Sequence, residues 1–102
     1  MIMSLQKVCT TNDLKDGEGR PFTISGKPIA VFKQNGQFFA IDNTCPHMGG
    51  PLGEGLLEGE EITCPWHGWQ FSIRTGAHVS IPGVKAKTYP VTVKDGEVFV
   101  DV

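Results

Sequence analysis

Several large classes of protein are excluded by what this 102-residue sequence lacks. No stretch approaches the ~18 consecutive apolar residues of a membrane-spanning helix. Met1-Ile2-Met3-Ser4 does not open a basic-then-apolar secretory leader, so a soluble, cytoplasmic protein is expected. Nine basic residues against eleven acidic ones leave a formal charge of -2. The cationic excess that neutralises a nucleic-acid backbone is therefore missing. Cysteine is scarce: three residues cannot all pair, and a reducing compartment disfavours disulfides, which leaves metal binding as the better use for them. No segment sustains a helical apolar period, no internal repeat emerges and no linker divides the chain, so one domain spanning residues 1–102 is expected. No nucleophile–base pair and no paired carboxylates stand out. A framework this small cannot enclose an organic substrate, so the chain does not read as an enzyme.

What is abundant is glycine (13) and proline (7), placed between short apolar runs. This punctuation predicts β-structure with many turns. Pro28 to Lys33 and Gln37 to Asp42 flank Asn35-Gly36, and Tyr89 to Lys94 and Glu97 to Val102 flank Asp95-Gly96. These dipeptides suit type I′ turns, in which both central residues need positive φ, so two antiparallel hairpins are expected. In the second hairpin Val91 and Val93 alternate with Thr92 and Lys94, and Val98, Val100 and Val102 with Phe99 and Asp101, which predicts one buried face. A third hairpin runs from Trp69–Ile73 to Ala77–Ser80 across Arg74-Thr75-Gly76. Lys7 to Thr10 reads as an edge strand, and Thr11-Asn12-Asp13-Leu14 as one capped helical turn. Residues 43–83 are loop-rich by comparison, a small insertion on an all-β framework.

The chemistry lies in that insertion. Two of the three cysteines and two of the three histidines fall in matched boxes, Cys45-Pro46-His47 and Cys64-Pro65-Trp66-His67, separated by sixteen residues. Each box offers one thiolate and one imidazole from a loop shaped by glycine and proline. A structural zinc site is the obvious rival, because zinc accepts these donors; yet zinc boxes usually space paired ligands by two to four residues, and Cys45-x-His47 is tighter.

These boxes, with the β-framework on both sides and Ser80-Ile81-Pro82 after them, make the sequence resemble the Rieske 2Fe-2S family along essentially its whole length. The resemblance is strongest to the small ferredoxin components of bacterial ring-hydroxylating dioxygenases, and it extends to the small subunit of assimilatory nitrite reductases. It implies an antiparallel β-sandwich with a small inserted cluster-binding subdomain at about residues 43–83, and one 2Fe-2S cluster per chain. By the same resemblance, Cys45 and Cys64 hold one iron and His47 and His67 the other, with a proline loop at Ser80-Ile81-Pro82 over the cluster. The implied activity is electron transport, as a dioxygenase component rather than an enzyme. Its implied partners are a flavin-containing NAD(P)H reductase and a terminal oxygenase, met in transient contacts by a monomer. A fixed subunit of a nitrite reductase-like enzyme is the alternative.

Charge explains why mixed ligation matters. Two ferric ions, two sulfides and two thiolates sum to neutrality, whereas a cluster held by four thiolates is a dianion. A neutral cluster takes an electron more readily, and Rieske potentials span roughly -150 to +300 mV against about -400 mV for plant-type ferredoxins. High-potential members of the family carry a disulfide between the two boxes at positions that here are Gly50 and Trp66. They also carry a serine and a tyrosine, as hydrogen-bond donors toward the cluster, where this chain has Trp69 and Phe71. Without those donors the more negative reduced state is less stabilised, so a potential near the low end of the Rieske range is expected.

The remaining candidates have plainer readings. Cys9, in a strand far from both boxes, is a small buried hydrophobe. His78 is an exposed or hydrogen-bonded strand residue, and Trp69 and Phe71 are core. Trp66 shields the cluster, or else fills the core below it. Met48, Leu52 and Pro82 are candidates for an apolar rim around the histidines. Glu54, Glu58, Glu60 and Glu61 read first as solvated loop charge, with steering of a basic partner as the sharper alternative. Gly49, Gly50 and Gly68 are expected to let backbone approach the sulfurs.

Overall fold

The computed structural model describes residues 5–46, 49–66 and 68–102. Ten strands run through it: β1 (Leu5–Thr10), β2 (Glu18–Ile24), β3 (Lys27–Gln34), β4 (Gln37–Asp42), β5 (Leu56–Glu58), β6 (Glu61–Thr63), β7 (Gln70–Ser72), β8 (Thr88–Tyr89), β9 (Val91–Lys94) and β10 (Glu97–Asp101). They form three antiparallel sheets, ordered β1-β10-β9, β2-β3-β4-β8 and β5-β6-β7. Among the described residues the one helical element is a 3-10 turn at Leu52–Glu54, and no helix is long and apolar enough to cross a membrane.

The central sheet separates two cores. Side chains alternate along a strand, so Ile29 and Val31 of β3 and Ala40 of β4 pack with Leu14, Ile24, Tyr89 and Val100 toward the β1-β10-β9 sheet. Ala30 and Phe32 of β3 and Ile41 of β4 point the other way, into a core shared with Leu52, Ile62, Phe71, Ile73, Cys45 and Cys64. All four residues from Ile29 to Phe32 are fully buried. This is why β3 reads as an unbroken apolar run rather than an alternating one: both of its faces are covered. The second core lies directly beneath the two cysteine boxes.

The turns follow from backbone chemistry. Asn35 and Gly36 (φ 52° and 77°) and Asp95 and Gly96 (φ 52° and 76°) take the paired positive angles expected for the two hairpins. Ser25-Gly26 (φ 51° and 78°) makes a third such turn between β2 and β3.

Strand β2 is the element that local sequence signals hide, because it contains Gly19 and Pro21. Both have tertiary reasons for their place. Pro21 is tolerated because β2 is a sheet edge. Gly19 lies under the Phe32 ring, where a Cβ would sit 2.3 Å from two ring carbons.

Four expectations are corrected. Tyr89 to Lys94 is not one strand, since Pro90 divides it: Tyr89 pairs with Ala40 of the central sheet, while β9 pairs with β10. Residues 11–14 form no helix; Asp13 closes a tight turn by accepting the Thr10 N–H and donating its own N–H to the Thr10 carbonyl, and Leu14 enters the core. Residues 77–80 lie beside β7 through Ser72 N–H to Ala77 O (2.9 Å) and Val79 N–H to Gln70 O (3.0 Å), as isolated bridges rather than a strand. Val93 is 49% exposed, because β9 is an edge strand that the sheet below does not cover.

Candidate metal centre

Both cysteine boxes are six-residue hairpin loops closed in the same way. In the first, Cys45 N–H donates to Gly50 O (2.9 Å) and Gly49 N–H donates to Cys45 O (2.8 Å). In the second, Cys64 N–H donates to Trp69 O (2.7 Å) and Gly68 N–H donates to Cys64 O (3.1 Å). Each loop opens with Cys-Pro, and its fifth residue is a glycine in the left-handed region, Gly49 at φ 80° and Gly68 at φ 74°. That conformation is cheap only for glycine.

The loop necks are anchored differently. Thr44 bridges Pro51, Leu52 N–H donates to Asn43 O (2.7 Å), and the Asn43 side chain accepts Gly53 N–H (2.7 Å), which pins the first loop to the end of β4. The second loop caps the β6–β7 pair at Thr63 and Gln70, whose side chains are joined by a 3.2 Å hydrogen bond.

The loops meet at Gly50. A Cβ there would sit 2.6 Å from Cys64 Sγ and 3.1 and 3.2 Å from Trp66 Cγ and Cδ2. Only a residue without a side chain lets the first loop lie against the sulfur of the second. Cys45 and Cys64 are both 2% exposed thiols in one core, and neither loop carries a charged residue. Two thiols are thus delivered by like loops that touch, in a dry and uncharged setting. This thiol half of the donor set fits a bridged iron pair. His47 and His67, the expected imidazole donors, and Met48, from the expected apolar rim, lie outside the described residues.

Other expected site residues divide. Gly50 approaches a sulfur as anticipated, but the nearest atom to a Cβ on Gly49 would be Thr44 Cγ2 at 3.8 Å, and one on Gly68 would meet nothing within 4 Å. Both of those glycines hold a left-handed backbone angle. Trp66 is 58% exposed and packs over Gly50 beside Cys64, outside the core. Phe71 is fully buried and Trp69 partly so. Leu52 does not belong to any rim: it is fully buried, because the 3-10 turn folds it into the core under the loops. Pro82 is exposed. Cys9 is buried in β1, far from the boxes in sequence, and burial pushes its thiol pKa up.

Of the four glutamates, Glu60 is held by Arg74, with a 2.6 Å contact to the guanidinium that lowers its carboxyl pKa; Glu54, Glu58 and Glu61 are exposed. His78 has a larger role than expected. It is half-buried, stands edge-on to Trp69 and Phe71, and accepts two backbone N–H groups. No local pattern around it announces this.

Comparison with known proteins decides the family. Residues 4–93 match the model of the Rieske [2Fe-2S] domain. The chain belongs to the Rieske family. It carries one 2Fe-2S cluster and acts as an electron carrier.

Among its relatives, this Rieske chain is 40% identical to the 3-phenylpropionate/cinnamic acid dioxygenase ferredoxin subunit of Photorhabdus laumondii, over 98% of its own length and 96% of the relative's. It is also similar to a solved structure described as a complex of reduced oxygenase and oxidized ferredoxin in carbazole 1,9a-dioxygenase. There the TM-score is 0.86 and the identity 39%, covering 93% of this chain and 99% of that one. The same fold, at 22% identity and a TM-score of 0.92, recurs in a structure described as a putative NADH-dependent nitrite reductase small subunit from Mycobacterium tuberculosis, covering 100% of this chain and 97% of that one.

Proposed function

We propose that this Rieske protein is the ferredoxin component of a multicomponent ring-hydroxylating oxygenase. It takes single electrons from a flavin-containing NAD(P)H reductase and passes them to a terminal oxygenase in the cytoplasm, as a monomer making brief contacts. Cys45 and Cys64 hold one iron, and His47 and His67 the other. The site occupies residues 43–83 of a single domain spanning residues 1–102. When bound, the cluster supplies one-electron redox chemistry. The contribution of the chain is to hold two thiolates in a dry setting through the matched loops and to keep charge away from them.

The observation that carries this reading is the contact of two identically closed Cys-Pro loops at Gly50. It is supported by relatives of matching length that are named as ferredoxin components of dioxygenases. The test is electron paramagnetic resonance of the dithionite-reduced protein, together with voltammetry. A rhombic signal with an average g below the free-electron value is expected, with a midpoint near the low end of the Rieske range, roughly -150 mV. The absence of any signal, as a zinc site would give, or a midpoint on the positive side, overturns it. Rapid reoxidation by a terminal oxygenase supports a shuttling carrier. A complex with a larger reductase that survives gel filtration assigns the chain to a fixed subunit instead.

A further inference from the structure

His78 sits at the root of a loop that is tied to β7 by Val79 N–H donating to Gln70 O (3.0 Å). Residues 79–83 are all exposed, with Val79 at 42% and Ile81 at 40%, so burial contributes little order. Within the loop, the Val84 N–H reaches Ile81 O only at 3.4 Å. His78 supplies three further ties. Its backbone N–H donates to Val84 O at 2.8 Å, closing the loop, and its Nδ1 accepts the N–H groups of both Ser80 and Ile81 at 3.0 Å. With Nδ1 accepting, the imidazole proton sits on Nε2. The same ring stands edge-on to Trp69, centroids 4.8 Å apart, and to Phe71 at 5.3 Å. Trp69 in turn provides the carbonyl that takes Cys64 N–H.

From this arrangement we propose that His78 is a positioning residue: its Nδ1 lone pair clasps the 79–83 loop and fixes it beside the Cys64 loop, limiting access of water to the metal centre. The role of the loop at that centre rests on the reading under Proposed function; the clasp itself does not. Two substitutions separate the acceptor from the ring. His78→Phe keeps an aromatic edge for Trp69 but has no acceptor. His78→Asn loses the ring but places Oδ1 where Nδ1 was.

The experiment is amide hydrogen exchange at Ser80 and Ile81 in the iron-loaded protein and both variants, with bleaching of the visible absorption in air followed in parallel. In His78→Phe both amides are expected to exchange about fivefold faster, the loss of one net hydrogen bond, and bleaching to accelerate by a similar factor. In His78→Asn exchange stays close to that of the unsubstituted protein. Unchanged exchange in His78→Phe, or exchange in His78→Asn as fast as in His78→Phe, overturns the clasp, and unchanged bleaching overturns its effect on the metal centre. Should His78→Phe fail to fold, His78→Asn decides alone: protected amides support the clasp and fast ones refute it. An unsubstituted protein without iron or colour refutes the functional reading, while its amide protection still reports on the clasp.

Discussion

Gly50→Ala is the substitution that most directly tests how the two loops are joined. Gly50 does not occupy the left-handed region, so alanine meets no backbone penalty there and the effect is steric. The new methyl would sit 2.6 Å from Cys64 Sγ, about an ångström inside normal contact. Cys64 is 2% exposed, so its sulfur has nowhere to retreat, whereas Trp66 at 58% exposure can swing outward. Crowding of this kind costs about 1–3 kcal/mol, which for a domain of this size lowers Tm by roughly 5–20 °C. Because the displaced atom is a proposed iron ligand, iron and sulfide content should fall as well.

The assay is visible absorption per protein, iron analysis and a thermal melt. The control is Gly26→Ala. Unlike Gly50 it carries the strain of a positive φ (78°), and a Cβ there, in the β2–β3 turn, meets nothing within 4 Å. Gly26→Ala should lower Tm and keep full iron content. Adding Trp66→Ala to Gly50→Ala should not restore the cluster, since the shorter contact is to sulfur and not to the indole. The reasoning is refuted if Gly50→Ala keeps its iron and its Tm, or if removing the indole rescues it.

Two further outcomes are expected. Tyr89 is the only tyrosine, so ultraviolet titration reads it alone; burial and the hydrogen bond from its hydroxyl to Asp42 Oδ1 push its pKa up to about 12. A pKa raised above the unfolded value near 10 means that this stabilisation is complete below about pH 10 and is lost as pH rises toward 12, so Tyr89→Phe should flatten that part of the stability profile. Ile62→Ala and Leu14→Ala should each cost about 2–5 kcal/mol, but only Ile62 shares a core with Cys45 and Cys64. Iron content should fall in Ile62→Ala and hold in Leu14→Ala at matched distance below Tm; equal loss in both would show that the two cores act as one unit.

Much of the framework was legible because its signals are local. Asn35-Gly36 and Asp95-Gly96 marked their hairpins, since positive φ at two adjacent positions is a property of those residues alone. Strand β2 was not legible, because Gly19 and Pro21 weaken any local strand signal and are justified only by the Phe32 ring and by an edge position. Leu52 looked like a rim residue because it follows the first box, and it is core because a 3-10 turn buries it. His78 looked ordinary because its partners, Ser80 and Ile81 on one side and Trp69 and Phe71 on the other, come together only when the 77–84 segment folds back beside β7.

The donor chemistry and the turns belong to the sequence by itself: ligand type, box spacing and the backbone angle a residue accepts do not depend on distant neighbours. Tertiary structure alone decided that Ile29 and Val31 face one core while Ala30 and Phe32 face the other, that Gly50 rests on the Cys64 sulfur, and that His78 ties down a loop. Each of these is a contact between chain segments whose separation in sequence carries no record of their distance in space.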